Sequence, residues 1–320
     1  MSRDVDSYIK RYDDLQKRRM QFDTLWSDLA NFIVPQRSYP FSTIGTNIAN
    51  NLTSKNSRFK TYDSTAEVAL DIFSSSLVGF LANPAMKWFE LGPTDESLLE
   101  DPEAALWFDI VSDRLLAAFN EPNAKFYSNL KMCATDIGVF GTVGMLIRPG
   151  TRSLLEFSSR SVNELYLAED ASGNIDTIYR CLLLSAWQVI QEFGYENVSG
   201  NLKRLFKEKP DELVTIIHVL EPRSDRNPDG DGVFNKPVAS IYFEYDNKNI
   251  LSEGGFEEMP LPVGRWDVMA NDVYGMPPAA KVLADIKMLN QMEKTHIVAA
   301  EKSLNPPLQM PDDGFLGNID

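Results

Sequence analysis

Residues 273–290 read VYGMPPAAKVLADIKMLN and combine a turn with the start of a helix. Pro277 and Pro278 follow Gly275 closely, and proline suits the first turn of a helix because no amide donor is needed there. Beyond them apolar residues recur at helical spacing, which predicts a helix from 278 to about 302. Such a helix is roughly 37 Å long. The sequence therefore predicts a long helix near its C-terminal end, entered through a tight turn.

The N-terminal part of the chain is also predicted to be helical. A long helix covers 2–34, because large apolar side chains recur at near-heptad spacing, interrupted by Arg19, until Pro35 ends it. Two interpretations of this helix stay open: a core helix of its own domain, or an amphipathic arm that packs on a neighbouring subunit. Further helices are predicted within 63–140, the first of them beginning with a capping box at 64–67.

The middle of the chain, 142–270, is predicted to be rich in strands, because apolar residues alternate with small or polar ones. Helices first, strands next and a long helix last predict an α+β protein. We divide it into a body over 1–276, the helix over 277–303 and a final segment over 304–320. After a first strand at about 143–147, the expected elements are strands at 154–158, 164–169 and 175–184, a helix at 186–193, and strands at 212–220, 238–246 and 261–267.

The formal charge is −15, from 31 Lys and Arg against 46 Asp and Glu. This balance disfavours a sequence-reading DNA-binding protein, which neutralises phosphates with clustered basic residues. The charge is uneven, since residues 1–60 carry ten basic and six acidic residues and 90–121 carries nine acidic and one basic. The apolar stretch at 72–86 falls short of the roughly 20 residues that span a bilayer, so no membrane association is expected.

The sequence lacks the motifs of catalysis and cofactor binding, with neither a GxxxxGK[ST] loop nor a GxSxG turn. Its histidines, His218 and His296, and its cysteines, Cys133 and Cys181, lack the spacing of a metal site or a disulfide scaffold. The loop at 225–236 begins like a calcium loop but ends in lysine, where glutamate is needed. We therefore expect no cofactor, no metal and no enzyme, a carboxylate-based enzyme being a less favoured alternative.

Several stretches, in their order along the chain, resemble the portal proteins, or head-to-tail connectors, of short-tailed bacteriophages. They are FIVP at 32–35, LVGFLANPAMKWFEL at 77–91, FYSNL at 126–130, GTVGML at 141–146 and VYGMPPA at 273–279. The ordered set is more specific than any one of its members.

This resemblance covers about 8–313 and implies a portal-type subunit. In such a subunit 1–276 form a helical and β-rich wing, 277–303 the first stem helix and 304–320 the start of the clip. We expect the returning stem helix and the crown of the family to be absent from this chain.

The resemblance also implies roles for particular residues. Gly275 is expected to supply backbone freedom at the junction of wing and stem, which comprises Tyr274, Gly275, Pro277 and Pro278. Lysines along the stem helix are either a solvated face or weak contacts to DNA phosphates in the channel: Lys281, Lys287, Lys294 and Lys302. The start of the clip is a candidate docking segment, with Asn305, Pro306, Pro307, Leu308 and Phe315. The candidate residues for contact between subunits are Arg18, Arg19 and Trp26.

The resemblance further implies a ring of twelve subunits at one capsid vertex, in the virion, assembled in the cytoplasm of the host bacterium. Double-stranded DNA passes through the ring during packaging and ejection. The implied partners are the terminase large subunit, tail adaptor or head-completion proteins, and the major capsid and scaffolding proteins. A closed ring needs two different faces per subunit, for which the basic N-terminal helix and the acidic 90–121 region are candidates. Another head-tail adaptor or capsid-associated ring component is the alternative.

Overall fold

The computed structural model describes residues 4–35, 61–94, 101–226, 230, 232–270 and 272–307. Four helices come first: α1 Val5–Ile33, α2 Thr65–Leu81, α3 Pro102–Asn120 and α4 Phe126–Phe140. Four strands follow: β1 Thr142–Pro149, β2 Leu155–Ser161, β3 Leu165–Glu169 and β4 Ile175–Ser185. Two short helices, α5 Ala186–Phe193 and α6 Gly200–Glu208, precede β5 Leu213–Pro222, β6 Val238–Glu244, β7 Ile250–Phe256 and β8 Val263–Arg265. The last helix is α7 Pro278–Leu304.

The strands form two antiparallel sheets, one of three strands in the order β2-β1-β8 and one of five in the order β3-β4-β5-β6-β7. The α+β class is confirmed, and each predicted strand matches an observed one to within a few residues. The helix α6 and the strand β7 were not predicted. β7 carries Gly254 and Gly255 at the edge of its sheet, and glycine weakens the signal of a strand.

The helix α1 is a core element of its own chain, which confirms the first of the two interpretations. Its N-terminal half packs Tyr8 and Tyr12 on one face of the five-stranded sheet, against Tyr166 and Tyr179. Its C-terminal half continues the same side into a second apolar cluster with α2, α4 and β3. Burying each large apolar side chain stabilises the fold by about 1.5–3 kcal/mol. Because α1 packs on the sheet with one half and on the helices with the other, it holds these two parts together.

The predicted capping box at the start of α2 is wrong. Ser64 has a backbone φ of −107° and ψ of 3°, outside the extended conformation of a typical cap, and its side chain bonds none of the free amides. The carboxylate of Asp63 accepts instead from the amide and the hydroxyl of Thr65, at 3.0 and 2.9 Å. The cap is therefore provided one residue earlier than the pattern indicates. No helix within the described ranges is long and apolar enough to cross a membrane.

Candidate functional site: the junction and the long helix

The chain enters α7 at a crossing of two backbone segments, which meet at Gly141 and Gly275. Gly141 ends α4 in the left-handed conformation, with φ of 71°. A Cβ on Gly141 would overlap the carbonyl oxygen of Gly275, and a Cβ on Gly275 would overlap the carbonyl oxygens of Gly141 and Trp266. Gly275 has no positive φ, so the expected reason for glycine there, backbone freedom, is wrong. Glycine is required at 275 because backbones approach closely on two sides.

Backbone hydrogen bonds fix this crossing. The Gly275 amide donates to the hydroxyl of Thr142 at 2.9 Å, inside the protein. The Trp266 amide donates to the carbonyl oxygen of Gly141 at 2.8 Å, and the Met276 amide to that of Asp267 at 3.1 Å. The end of α4, the start of β1 and the residues after β8 therefore meet at the start of α7. Pro277 and Pro278 lie at the helix start, as predicted.

Tyr274 anchors the junction to the rest of the body, by which we mean the described residues before 277. Its side chain is buried, and its hydroxyl accepts from the Leu167 amide at 3.1 Å and donates to the Leu165 carbonyl at 3.4 Å. Its ring lies 5.3 Å from that of Phe22 and 5.2 Å from that of Trp26. Burial raises the pKa of Tyr274, so the hydroxyl stays protonated and can donate. One side chain thus joins the junction, α1 and β3.

Two of the predicted subunit-contact residues are core residues instead. Arg19 is fully buried, and its guanidinium donates to the carbonyl oxygens of Val162, Asn163 and Leu165 at 3.0, 3.0 and 3.1 Å. Trp26 is also fully buried. The prediction that these two side chains meet another subunit is therefore wrong, because their own chain surrounds them. Arg18 is exposed.

The helix α7 changes its surroundings halfway. In the first half Ala279, Leu283 and Ile286 pack on the apolar cluster of α1, α2 and α4. An apolar groove of about 340 Å³ remains between α2 and this half of α7, lined in part by Leu70 and Phe73. From 294 to 304 every residue of the helix is exposed. After Lys294 the helix thus extends beyond its contacts with the described residues of the body.

The four lysines of α7 follow this division. Lys281 pairs with Asp267 at 2.9 Å, and Lys287 pairs with Asp28 at 2.7 Å. The ammonium of Lys294 lies 5.9 Å from the centre of the Tyr62 ring. Lys302 forms no ion pair with any described residue and is exposed. Acids of the body therefore pair with Lys281 and Lys287, whereas Lys302 is exposed to solvent.

His218 is a buried ionisable group away from the junction, in the five-stranded sheet. His218 lies 3.1 Å from the Arg180 guanidinium and 3.0 Å from the Ser240 hydroxyl, and its ring stacks on Tyr242. Burial lowers the pKa of His218 well below its usual value, so the ring is neutral. This confirms the interpretation of His218 as a satisfied strand residue. Within the described ranges, no three His, Cys, Asp or Glu side chains come together as a metal site.

The sequence profile of the family described as "Bacteriophage head to tail connecting protein" matches residues 5–320. The chain belongs to this family. The head-to-tail connecting chain is 30% identical over 307 residues to the "Portal protein" of Salmonella phage epsilon15, covering 95% of this chain and 54% of that protein. It is 27% identical over 309 residues to the "Probable portal protein" of Bordetella phage BPP-1, with the same coverage of 95% and 54%. It thus spans about half the length of these relatives, and the resemblance inferred from its sequence is confirmed.

The candidate docking residues of this connecting chain are described only in part. The Asn305 amide donates to the Glu301 carbonyl at 3.0 Å, which ends α7. Asn305, Pro306 and Pro307 are exposed. Leu308 and Phe315 lie outside the described residues, as do parts of the loop at 225–236.

Sequence reasoning missed Thr142 and the role of Arg19 in this connecting chain. Thr142 is a buried hydroxyl that holds the junction, and nothing in its local sequence distinguishes it from any other strand threonine. Arg19 did give a signal, because it occupies an apolar position of the near-heptad pattern. A basic residue in such a position indicates a buried guanidinium with partners inside the protein as well as an interruption.

Proposed function

We propose that this chain is the wing and first stem helix of a portal subunit, with twelve copies forming a ring at one capsid vertex. The observation that carries the proposal is α7, which leaves the body from a rigid glycine crossing and ends in a fully exposed half. Membership of the head-to-tail connecting family and the names of the relatives support the same role. In the ring, the body provides the outer part and α7 contributes to the wall of the channel.

The channel function rests on charge and length. The 27 residues of α7 give a helix about 40 Å long. Each phosphate that a fixed cation neutralises adds affinity for DNA. Because such affinity hinders sliding, a channel wall along which DNA slides needs few unpaired cations. Lys281 and Lys287 are paired with acids of the body, and the chain carries an excess of acidic residues. Lys302, and more weakly Lys294, are the proposed contacts to passing phosphates.

The role is structural, and the chemistry of packaging belongs to a partner. The proposed partners are the terminase large subunit during packaging and tail adaptor or head-completion proteins afterwards, docking near Asn305, Pro306 and Pro307. The major capsid and scaffolding proteins would surround the body. The ring would be assembled in the host cytoplasm and remain in the virion.

The buried acids also fit a structural role. Asp23 and Glu164, whose pKa values are raised chiefly by burial, face Arg19 and Arg180, as in a structural core.

Electron microscopy of the purified chain, together with its mass by native mass spectrometry, tests ring formation. Closed rings of about twelve copies with a central opening are expected. A discrete closed assembly of a different copy number would favour another head-tail adaptor or capsid-associated component.

A further inference from the structure

Three arginines lie near one another where the two sheets meet. Arg180 is buried on β4, and its guanidinium donates to Nδ1 of His218 at 3.1 Å. Arg160 on β2 is opposite Gly144, so it shares a face of the three-stranded sheet with Arg148, four residues further along β1. Burial lowers the pKa of His218, and the charges of all three arginines lower it further. We call Arg148, Arg160 and Arg180 the arginine cluster.

One carboxylate serves two of these guanidiniums. The oxygens of Glu164 lie 3.7 Å from Arg160 Nε and 3.7 Å from an Nη of Arg180, which is too far for a hydrogen bond. Among the described residues, Glu164 is the one acid that forms an ion pair with the cluster. Glu156 lies opposite Arg148 in the strand register without forming such a pair. The positive charge of the arginine cluster is therefore only partly neutralised.

The arginine cluster is open to solvent on one side. The side chain of Arg160 is 24% exposed and that of Arg180 is 3% exposed. The Nε atoms of both are buried and bond no described residue, whereas the terminal nitrogens of Arg160 are accessible and likewise bond none. Tyr242 borders the cluster, because its ring stacks on His218 with 3.8 Å between the ring centres. Burial raises the pKa of Tyr242, the arginine charges lower it, and Glu192 of α5 raises it. Arg180 thus lies beneath a cationic surface that other molecules can reach.

We propose that the arginine cluster binds a phosphate group. Guanidinium groups donate in pairs to phosphate oxygens, and a tetrahedral phosphate can accept from more than one of them. The terminal nitrogens of Arg160 and Arg148 make these bonds, and Arg180, held by His218, adds its charge from below. A second anion beside Glu164 also offsets the cost of burying guanidiniums with too few partners. The phosphate comes either from a free phosphate ion or from a DNA backbone.

Equilibrium dialysis of the 320-residue chain against radiolabelled inorganic phosphate, in a chloride buffer of low ionic strength, tests the site. Saturable binding of one phosphate per chain is expected. Arg160→Gln should raise the dissociation constant about tenfold, because hydrogen bonds between charged groups are lost. Arg148→Gln should raise it several-fold, and its exposed position makes a folding defect easy to avoid. A wild-type chain that shows no saturable binding would overturn the proposal.

Arg204→Gln is the matched control, because it removes one positive charge from an exposed position on α6. This variant should bind phosphate as the wild type does. Thermal unfolding without phosphate checks that all three variants are folded. The proposal would be overturned if Arg160→Gln and Arg148→Gln both bound phosphate like the control. Acetate that displaced phosphate at equal concentration would overturn it as well, because the cluster would then be a carboxylate site.

A short DNA duplex distinguishes the two sources of the phosphate group. Displacement of labelled phosphate by the duplex would identify the DNA backbone, and retention of the label would identify the free ion. Either result supports a phosphate site. The site lies within one chain, so it requires no ring. A chain that failed to bind phosphate could still label a single vertex in particles, and the two proposals therefore fail separately.

Discussion

Replacing Gly275 by alanine should destabilise the protein through the crossing at the start of α7. The new Cβ would overlap the carbonyl oxygens of Trp266 and Gly141 and lie 2.6 Å from the Trp266 nitrogen. All of these are backbone atoms, so no side chain can rotate away. Relief requires that the two segments separate, which lengthens the hydrogen bond from Gly275 to Thr142.

The expected loss combines two costs. Overpacking in a close-packed interior costs about 1–3 kcal/mol, and a buried group that loses its hydrogen bond costs about 1–3 kcal/mol. We expect the free energy of unfolding to fall by about 3 kcal/mol. Urea unfolding followed by tryptophan fluorescence measures this directly, because Trp266 lies at the crossing and Trp26 packs on Tyr274.

Gly79→Ala is the matched control. Gly79 lies within α2 and a Cβ there meets no atom within 4 Å, so alanine should be neutral or stabilise the helix by up to about 1 kcal/mol. Thr142→Val separates the two costs, because it removes the hydrogen bond without adding bulk at the crossing. If Gly275→Ala unfolded at the same urea concentration as wild type, the account of a rigid junction would be refuted.

Three further changes test the packing around the junction and the sheet. Arg19→Met leaves the buried carboxylate of Asp23 without its cation and removes the guanidinium bonds to three carbonyl oxygens, and it should lower the free energy of unfolding by about 3 kcal/mol, measured in urea; an unchanged midpoint would contradict the core role of Arg19. Tyr274→Phe should cost about 1–2 kcal/mol in the same assay, since only the hydroxyl is lost, and a loss near zero would show that its bonds to β3 do not matter. Because burial lowers the pKa of His218, the unfolded chain binds the extra proton, and stability should fall as pH drops below about 6.5, by up to about 1.4 kcal/mol per pH unit. His218→Gln should reduce this slope while His296→Asn, at an exposed position, should not, and equal slopes in the two variants would exclude His218 as the source.

The sequence predicted the elements of this fold well, because each long element carries its own periodic pattern. The apolar spacing of α1 and α7 and the alternation in β4 and β5 depend on one buried face per element. The glycine and prolines of the junction also predicted a turn before a helix. The need for Gly275 was correctly identified, but its reason, contact with Trp266 and Gly141, depends on residues far away in the sequence.

The wrong predictions concern Arg19 and the cap of α2. In the first case the hydrogen-bond partners are far away in the sequence, and in the second a neighbouring residue provides the cap. Arg19 was predicted to contact another subunit, while three carbonyl oxygens near β3 and the carboxylate of Asp23 bind its guanidinium inside the protein. At the start of α2 the side chain of Asp63 accepts a hydrogen bond from a free amide, and that of the neighbouring Ser64 does not. Local patterns identify which residues can make a contact, and tertiary packing decides which of them does.

The location of this chain in assembled particles tests the portal proposal most directly. Particles assembled with an epitope-tagged chain can be labelled with gold-conjugated antibody and viewed by electron microscopy beside untagged particles. The account predicts label at a single vertex of each head, the one that carries the tail. Label spread over many vertices, or particles free of the chain, would contradict it.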